Sequence, residues 1–378
     1  MKKNIVWLFF VLDFFLLVFF FVFPEFFSSE MFYKKDNQIT KAVQSDQKLK
    51  ISPLPPLDTA LYDKKLNELA NNPLPKLTTT PPSAPLLNQG GEGGGNSLEP
   101  KPLPPNLWPV KTVYPNPGAI LPFKRIVAYY GNLYSTKMGV LGEYPEAEML
   151  VKLNEEVKKW EETDPNTPVV SALHYIAVVA QESAGKDGKY RLRMPDSEID
   201  KVLAMAEKIR ALVFLDIQVG FSSLQTEVPL LEKYLKLPNV HLGVDPEFSM
   251  KTGIRPGKIV GTYDAADINF AANYLAKIVK ENNLPPKILV VHRYTQKMVT
   301  NYQEIKPLPE VQIVMHMDGW GYAAKKKNTY QQFIYKEPVQ FTGFKLFYKS
   351  DIKTPGTALM TPADLLKLIP QPIYIQYQ

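Results

Sequence analysis

From Phe123 onward the chain alternates between two hydrophobic patterns. The first is short, nearly continuous and rich in Val, Ile, Leu and aromatic residues. It recurs as "RIVAYYG" (125–131), "VVSALHYIAVVAQ" (169–181), "ALVFLDIQ" (211–218), "VHLGVDPEF" (240–248), "KILVVHRY" (287–294), "VQIVMHMD" (311–318), "FTGFKLFY" (341–348) and "PIYIQY" (372–377). Runs of this kind belong to strands buried on both faces. The second pattern is amphipathic, with apolar residues recurring at three and four. "PEAEMLVKLNEEVKKWEE", "PDSEIDKVLAMAEKIR", "SLQTEVPLLEKYLK" and "DAADINFAANYLAKIVKENN" predict helices, as do the shorter "TQKMVTNYQEI", "NTYQQFIYK" and "TPADLLKLI". Alternating buried strands and amphipathic helices imply parallel strands with right-handed crossovers. Eight such strands match a (β/α)8 TIM-like barrel over residues 119–378, its last helix missing or replaced. An open doubly wound sheet is the alternative, but no G-x-G-x-x-G follows the first strand.

Two other textures precede the barrel. Lys2 and Lys3 lead a run rich in Phe, Leu and Val from Ile5 to Phe23, interrupted by Asp13. That length suits a membrane-crossing helix with the N-terminus inside. No small-x-small cleavage site follows, so residues 1–27 are expected to be an uncleaved signal anchor. Residues 28–118 mix polyproline runs with "GGEGGG". Such a stretch reads as a disordered Pro/Gly-rich linker, with one short helix expected near "DTALYDKKLNELANN". The expected place is therefore a bacterial cell membrane, crossed once, with the barrel outside, or the exterior as a secreted protein if the signal is cleaved.

Composition narrows the chemistry. The 378 residues carry a net charge of +6 and no cysteine. Disulfides, thiolate metal sites and Cys nucleophiles are excluded. The basic balance suits anionic lipids or wall polymers as well as nucleic acid. "KYRLRMP" offers Arg191 and Arg193 as an anion clamp, and Lys325 to Lys327 read as a solvated helix start. Neither interleaves with aromatics as a nucleic-acid surface would, so no nucleic-acid partner is expected.

In a barrel the chemistry sits at the C-terminal ends of the strands. Polar pairs at spacing two cluster there: Asp216/Gln218, Asp245/Glu247 and His316/Asp318. Gln181, His292, Arg293, Lys345 and Gln376 also fall at these ends. His241, near a strand start, reads as structural. Several carboxylates around one mouth push each other's pKa values apart, and glycoside hydrolysis needs that division. Glu247 is the leading acid/base, with Asp245, Asp216 and Asp318 as partners. Tyr129, Tyr130, Trp320 and Tyr348 are candidates to stack on sugar rings, and Gln181, Gln218, His292, Arg293, His316, Lys345 and Gln376 to bind substrate. The expected partner is a carbohydrate or cell-wall polymer, with no cofactor and no metal. Two alternatives use the same residues: a barrel that binds glycan without catalysis, and a metal-dependent hydrolase on His174, His292, His316, Asp245 and Asp318.

"IVAYYGNLYSTKMGVLGEYP", "YRLRMPDSEIDK", "LDIQVGFSSLQTEV", "VHLGVDPEFSM" and "LPPKILVVHRYT" together resemble a group of exported or lipoprotein-like bacterial proteins of unknown function. The resemblance covers residues 123–378 and implies a shared barrel-like domain without an assigned activity. More loosely, the strand-four acids are similar to those of barrel-type glycoside hydrolases. Here strand six ends "MHMD", with His316 where chitinase-like barrels place tyrosine.

Overall fold

A computed structural model of the chain describes residues 54–72 and 106–378. The expected anchor at 1–27 lies outside the described residues, as do 28–53 and 73–105 of the expected linker. Among the described residues no helix is long and apolar enough to cross a membrane.

Each of the eight hydrophobic runs forms a strand. They are β1 (Arg125–Gly131), β2 (Val169–Ala180), β3 (Leu212–Ile217), β4 (Val240–Val244), β5 (Lys287–Arg293), β6 (Val311–Met317), β7 (Phe341–Leu346) and β8 (Tyr374–Tyr377). All neighbours pair in parallel, and β1 pairs with both β2 and β8, which closes the barrel. A three-residue strand, Arg191–Arg193, adds antiparallel to β2.

Closure divides each strand into two faces. Val127, Leu173, Leu215, Leu242, Leu289, Ile313, Phe344 and Ile375 face outward into the larger apolar cluster with the helices. Ile126, Ala128, Ala172, Phe214, Ile288, Val290, Val314 and Tyr374 fill the lower interior. Towards the C-terminal ends the inward positions become ionisable. Gly243 and Gly343 lie inside among large rings. A Cβ on Gly243 would collide with Asp216 and His174, and one on Gly343 with His316. Glycine is the residue that leaves this space.

The long amphipathic patterns form α2 (Glu146–Thr163), α3 (Asp196–Lys208) and α4 (Ala265–Asn282), after α1 (Thr59–Ala70) near the start of the described chain. Asp264 caps α4 in a capping box with Asp267. Three expected helices differ. "SLQTEVPLLEKYLK" breaks into short turns around Pro229. "TQKMVTNYQEI" forms 3-10 turns about Val299–Thr300, and Asn301 adopts φ 54°. "NTYQQFIYK" continues Ala323–Tyr330 as a π turn over Gln331–Tyr335.

The disordered linker expected over 28–118 is corrected at 55–72 and 106–118, which pack on the barrel floor. The expected short helix is α1, capped by Asp58, whose carboxylate accepts from Leu61 N at 2.9 Å. Its Tyr62 is buried among Leu121, Phe123 and Ile126. Trp108 is buried and donates from Nε1 to Tyr335 O at 2.9 Å. These apolar side chains cover the floor's inward apolar residues, a burial that outweighs the local polyproline bias.

Candidate functional site

The mouth begins where β4 stops. The strand ends at Val244, four residues earlier than its hydrophobic run, and Pro246–Phe248 form a 3-10 turn. Asp245 caps that turn, its Oδ1 accepting from Glu247 N at 3.0 Å. Asp245 and Glu247 therefore do not share a strand face, as their spacing suggested. The turn nevertheless brings both to one cavity of about 460 Å3 at the C-terminal end of the barrel. Tyr130, Gln218, Asp318, Trp320 and Lys345 line it too, and so do Phe248, Tyr294, Lys325 and Phe347.

Its polar groups are tied together in an ordered way. Asp318 accepts from His292 Nδ1 at 2.8 Å and pairs with Lys345 Nζ at 3.0 Å. Lys345 Nζ also sits 3.7 Å from the centroid of the Tyr130 ring. Gln218 Nε2 donates to Asp245 Oδ2 at 3.3 Å, and its Oε1 accepts from Ala180 N at 3.1 Å. Trp320, 54% exposed, forms an open wall with Lys325 Nζ 4.4 Å from its ring centre.

These contacts separate the protonation states of the acids. Burial raises the Glu247 pKa and the charge of Asp318 raises it further, against a hydrogen bond from Tyr294. Burial lifts Asp245 well above the usual carboxylate range, and Glu247 adds to this against the opposing charge of His292. Burial pushes Asp318 the same way, but Lys345 and then His292 overcome it and hold this acid far down. Burial alone would depress His292, yet Asp216 and Asp318 raise it to about 10.

Several candidates lie elsewhere. Tyr129 and Tyr348 face outward, their hydroxyls 3.2 Å apart, and Tyr348 donates to Glu156 of α2 at 3.0 Å. Arg293 also faces outward, bonded to Glu337 and to the carbonyls of Thr295, Gln296, Val299 and Phe333. Gln181 borders a separate, smaller hollow with Phe248 and Lys258. Asp216, His316 and Gln376 point inward but are wholly buried and do not line the cavity. Arg191 and Arg193 are engaged by Glu227 rather than aimed at the mouth. Lys326 is buried, donating to Lys345 O at 2.6 Å and pairing with Asp351, so only its neighbours are solvated. His241 accepts from Ile288 N at 3.1 Å in the lower interior, as a structural residue would.

One signal was available for the residues that strand-end position missed. Side chains alternate along a strand. Counting in twos from inward His292 and Lys345 reaches Tyr294 and Phe347 in the cavity. The same count places Arg293 and Tyr348 outside.

No family model matches the chain, and no curated protein matches it. Solved structures similar to it are barrel-type glycoside hydrolases. They include a ruminal GH26 endo-beta-1,4-mannanase, 12% identical with a TM-score of 0.32, covering 67% of this chain and 59% of that one. A GH5 xyloglucan-specific endo-beta-1,4-glucanase from a metagenomic library, in complex with cellotriose, is 9% identical with a TM-score of 0.30, covering 59% and 77%. The Bacteroides ovatus GH5 xyloglucanase in complex with a XXXG heptasaccharide is 12% identical with a TM-score of 0.30, covering 59% and 61%. The chain thus spans 59% of the length of the mannanase chain it matches.

Proposed function

We propose that this chain is a glycoside hydrolase of the barrel type, acting on a cell-envelope or environmental polysaccharide. One observation carries the reading. Glu247 and Asp318 line the same cavity in opposite electrostatic settings. Asp318 is held by Lys345 and His292. No cation lies within salt-bridge distance of Glu247 among the described residues, and the Tyr294 hydroxyl only partly offsets its raised pKa. A carboxylic acid beside a fixed carboxylate is the division that glycosidic cleavage uses. Glu247 delivers its proton to the glycosidic oxygen. Asp318 keeps its negative charge facing the sugar carbon, where positive charge develops as the bond to the leaving oxygen breaks; water then adds to that carbon and returns a proton to Glu247. Trp320 offers an aromatic face to a sugar ring. Asp216 acts through His292 rather than on substrate, and Gln218 positions Asp245.

The cellular setting belongs to the same proposal and rests on sequence alone. Lys2 and Lys3 ahead of the apolar run at 5–23 support a single-pass anchor with the barrel outside the membrane. The resemblance to exported bacterial proteins agrees with that placement.

The test is hydrolysis of a panel of wall and storage glycans by the full-length chain and by Glu247→Gln. The variant is expected to lose about 100- to 10,000-fold in kcat, the range for a general acid, while keeping its fold. Wild-type binding of a glycan without turnover would replace this reading with that of a non-catalytic glycan-binding barrel. The ion pairing of Asp318 to Lys345 favours that second reading, because it occupies one of the three mouth acids. The metal-hydrolase set does not assemble as expected: Asp245 is bonded to Gln218 and the Glu247 amide, and the group of three possible ligands found among the described residues does not include it.

A further inference from the structure

The barrel interior below the cavity holds a convergence that touches no substrate in the proposed hydrolysis. Asp216 Oδ1 lies 3.3 Å from His174 Nε2 and 3.4 Å from His292 Nε2. The three side chains are wholly buried, and none of these three atoms has a hydrogen-bond partner. All three atoms lie within 4.8 Å of one another. Three unpartnered buried polar atoms facing one point are costly unless something satisfies them.

We propose that His174, Asp216 and His292 form a buried site for one divalent transition-metal ion, most fittingly zinc. Two of the three separations match the chemistry. Metal bonds of about 2.0–2.1 Å at tetrahedral angles put ligand atoms ~3.3–3.4 Å apart. Imidazole and carboxylate are the donors such ions take. The outer contacts are those of metal-bound histidines. His174 Nδ1 is 2.6 Å from the Tyr374 hydroxyl, and His292 Nδ1 is 2.8 Å from Asp318 Oδ2. The remaining oxygen of Asp216 accepts from Tyr130 at 3.1 Å. Both rings thus have their far nitrogens engaged and turn the near ones inward. Gly243 keeps the space beside Asp216 and His174 free of a side chain. Satisfying all three atoms with protons takes an N–H on both near nitrogens, each donating to the one Asp216 oxygen at 3.3–3.4 Å, whereas one cation meets all three directly.

The site lies inside the barrel and is linked to the cavity lining through Tyr130 and Asp318. It ties β2, β3 and β5 together rather than touching substrate. Because all three ligands are wholly buried, the ion enters during folding. This inference goes beyond the hydrolase reading, and each can be overturned while the other stands.

The test uses the full-length chain, purified without a metal-binding tag, unfolded with chelator and refolded with or without zinc or cobalt. About one equivalent of zinc per chain is expected, with a higher melting temperature than the chelated protein. Cobalt is expected to give the visible d–d bands of a tetrahedral N/O site. His174→Gln and Asp216→Asn should lose the metal, and Tyr374→Phe should weaken it about 10-fold. The background is low, since the chain has four histidines and no cysteine. His316→Gln is the control that should keep it. Wild-type protein that refolds to the same stability without metal and retains none overturns the proposal. So does equal metal loss from His316→Gln and His174→Gln. If the ligand variants do not fold, the cobalt spectrum and the stoichiometry of the wild-type chain decide.

Discussion

The two ends of the barrel are both polar, and they differ in what their polar groups meet. At the floor, Arg125 is buried and its Nη1 donates to Asp164 at 2.7 Å. Lys287 Nζ donates to Val240 O at 2.9 Å and to Leu237 O. Gln312 bonds the amides of Ile120 and Leu121 and the carbonyl of Leu121. These floor contacts are to fixed protein partners, and Tyr62 and Leu121 cover the end with apolar surface. At the mouth, Glu247, Asp245, Asp318, Gln218 and Lys345 border an open cavity. A polar residue near a strand end therefore marks function only when its valences face open space. The floor spends its polarity on stability. The mouth holds like charges together, an arrangement that favours chemistry over stability.

The sharpest break between the two ends is in which property a substitution damages. Glu247→Gln is expected to abolish turnover by the factor given above and leave thermal unfolding nearly unchanged. Arg125→Ala should do the reverse. Breaking a buried ion pair costs about 3–5 kcal/mol, read by denaturant unfolding, with kcat preserved in the folded fraction. A loss of kcat comparable to that of Glu247→Gln would erase the distinction.

Titration sharpens it next. The folded pKa of Asp245 lies above its unfolded value, so the folded state holds the extra proton. Stability is then greatest below the ordinary carboxylate range and falls as pH rises through the raised value. Asp245→Asn should flatten that fall in melting temperature against pH. The raised pKa of Glu247 has the matching kinetic sign: kcat should decline as pH climbs past it. A rate that rises across that window would assign the acid role elsewhere.

Smaller effects test the faces. Trp320→Ala should raise KM for glycans about 3- to 10-fold, the worth of one aromatic contact. Tyr129→Phe removes a hydroxyl on the outer face. It should cost about 0.5–1.5 kcal/mol of stability and no activity. Any loss of kcat in Tyr129→Phe would mean that the outer tyrosine cluster communicates with the mouth.

Much of this was legible in the chain itself. The eight strands follow their hydrophobic runs, because period and length report burial locally. Ends were overrun where polar residues continue the run beyond the last ladder bond, as at Asp245–Phe248. Helices were legible where the apolar stripe is long, as in α2 and α4, and illegible where Pro229 or Asn301 interrupts it. Strand-end position found Glu247, Asp245, Asp318, Gln218, Tyr130 and Lys345. It also admitted Tyr129, Arg293 and Tyr348, whose neighbours face the interior while they do not.

The sequence by itself determined the alternation of strand and helix, the eight-strand barrel, and which end of it carries the acids. Hydrophobic periodicity encodes these, and it is a property of neighbouring residues. Only the tertiary structure decided which face of each strand meets the cavity, which acids are paired, and that residues 55–72 and 106–118 close the floor. The state of Asp318 depends on Lys345 from β7 and His292 from β5, and the convergence on Asp216 on histidines from β2 and β5. Closure of the barrel brings together residues far apart in the chain, and a carboxyl group's charge answers to what lies within a few ångströms of it, wherever that neighbour stands in sequence.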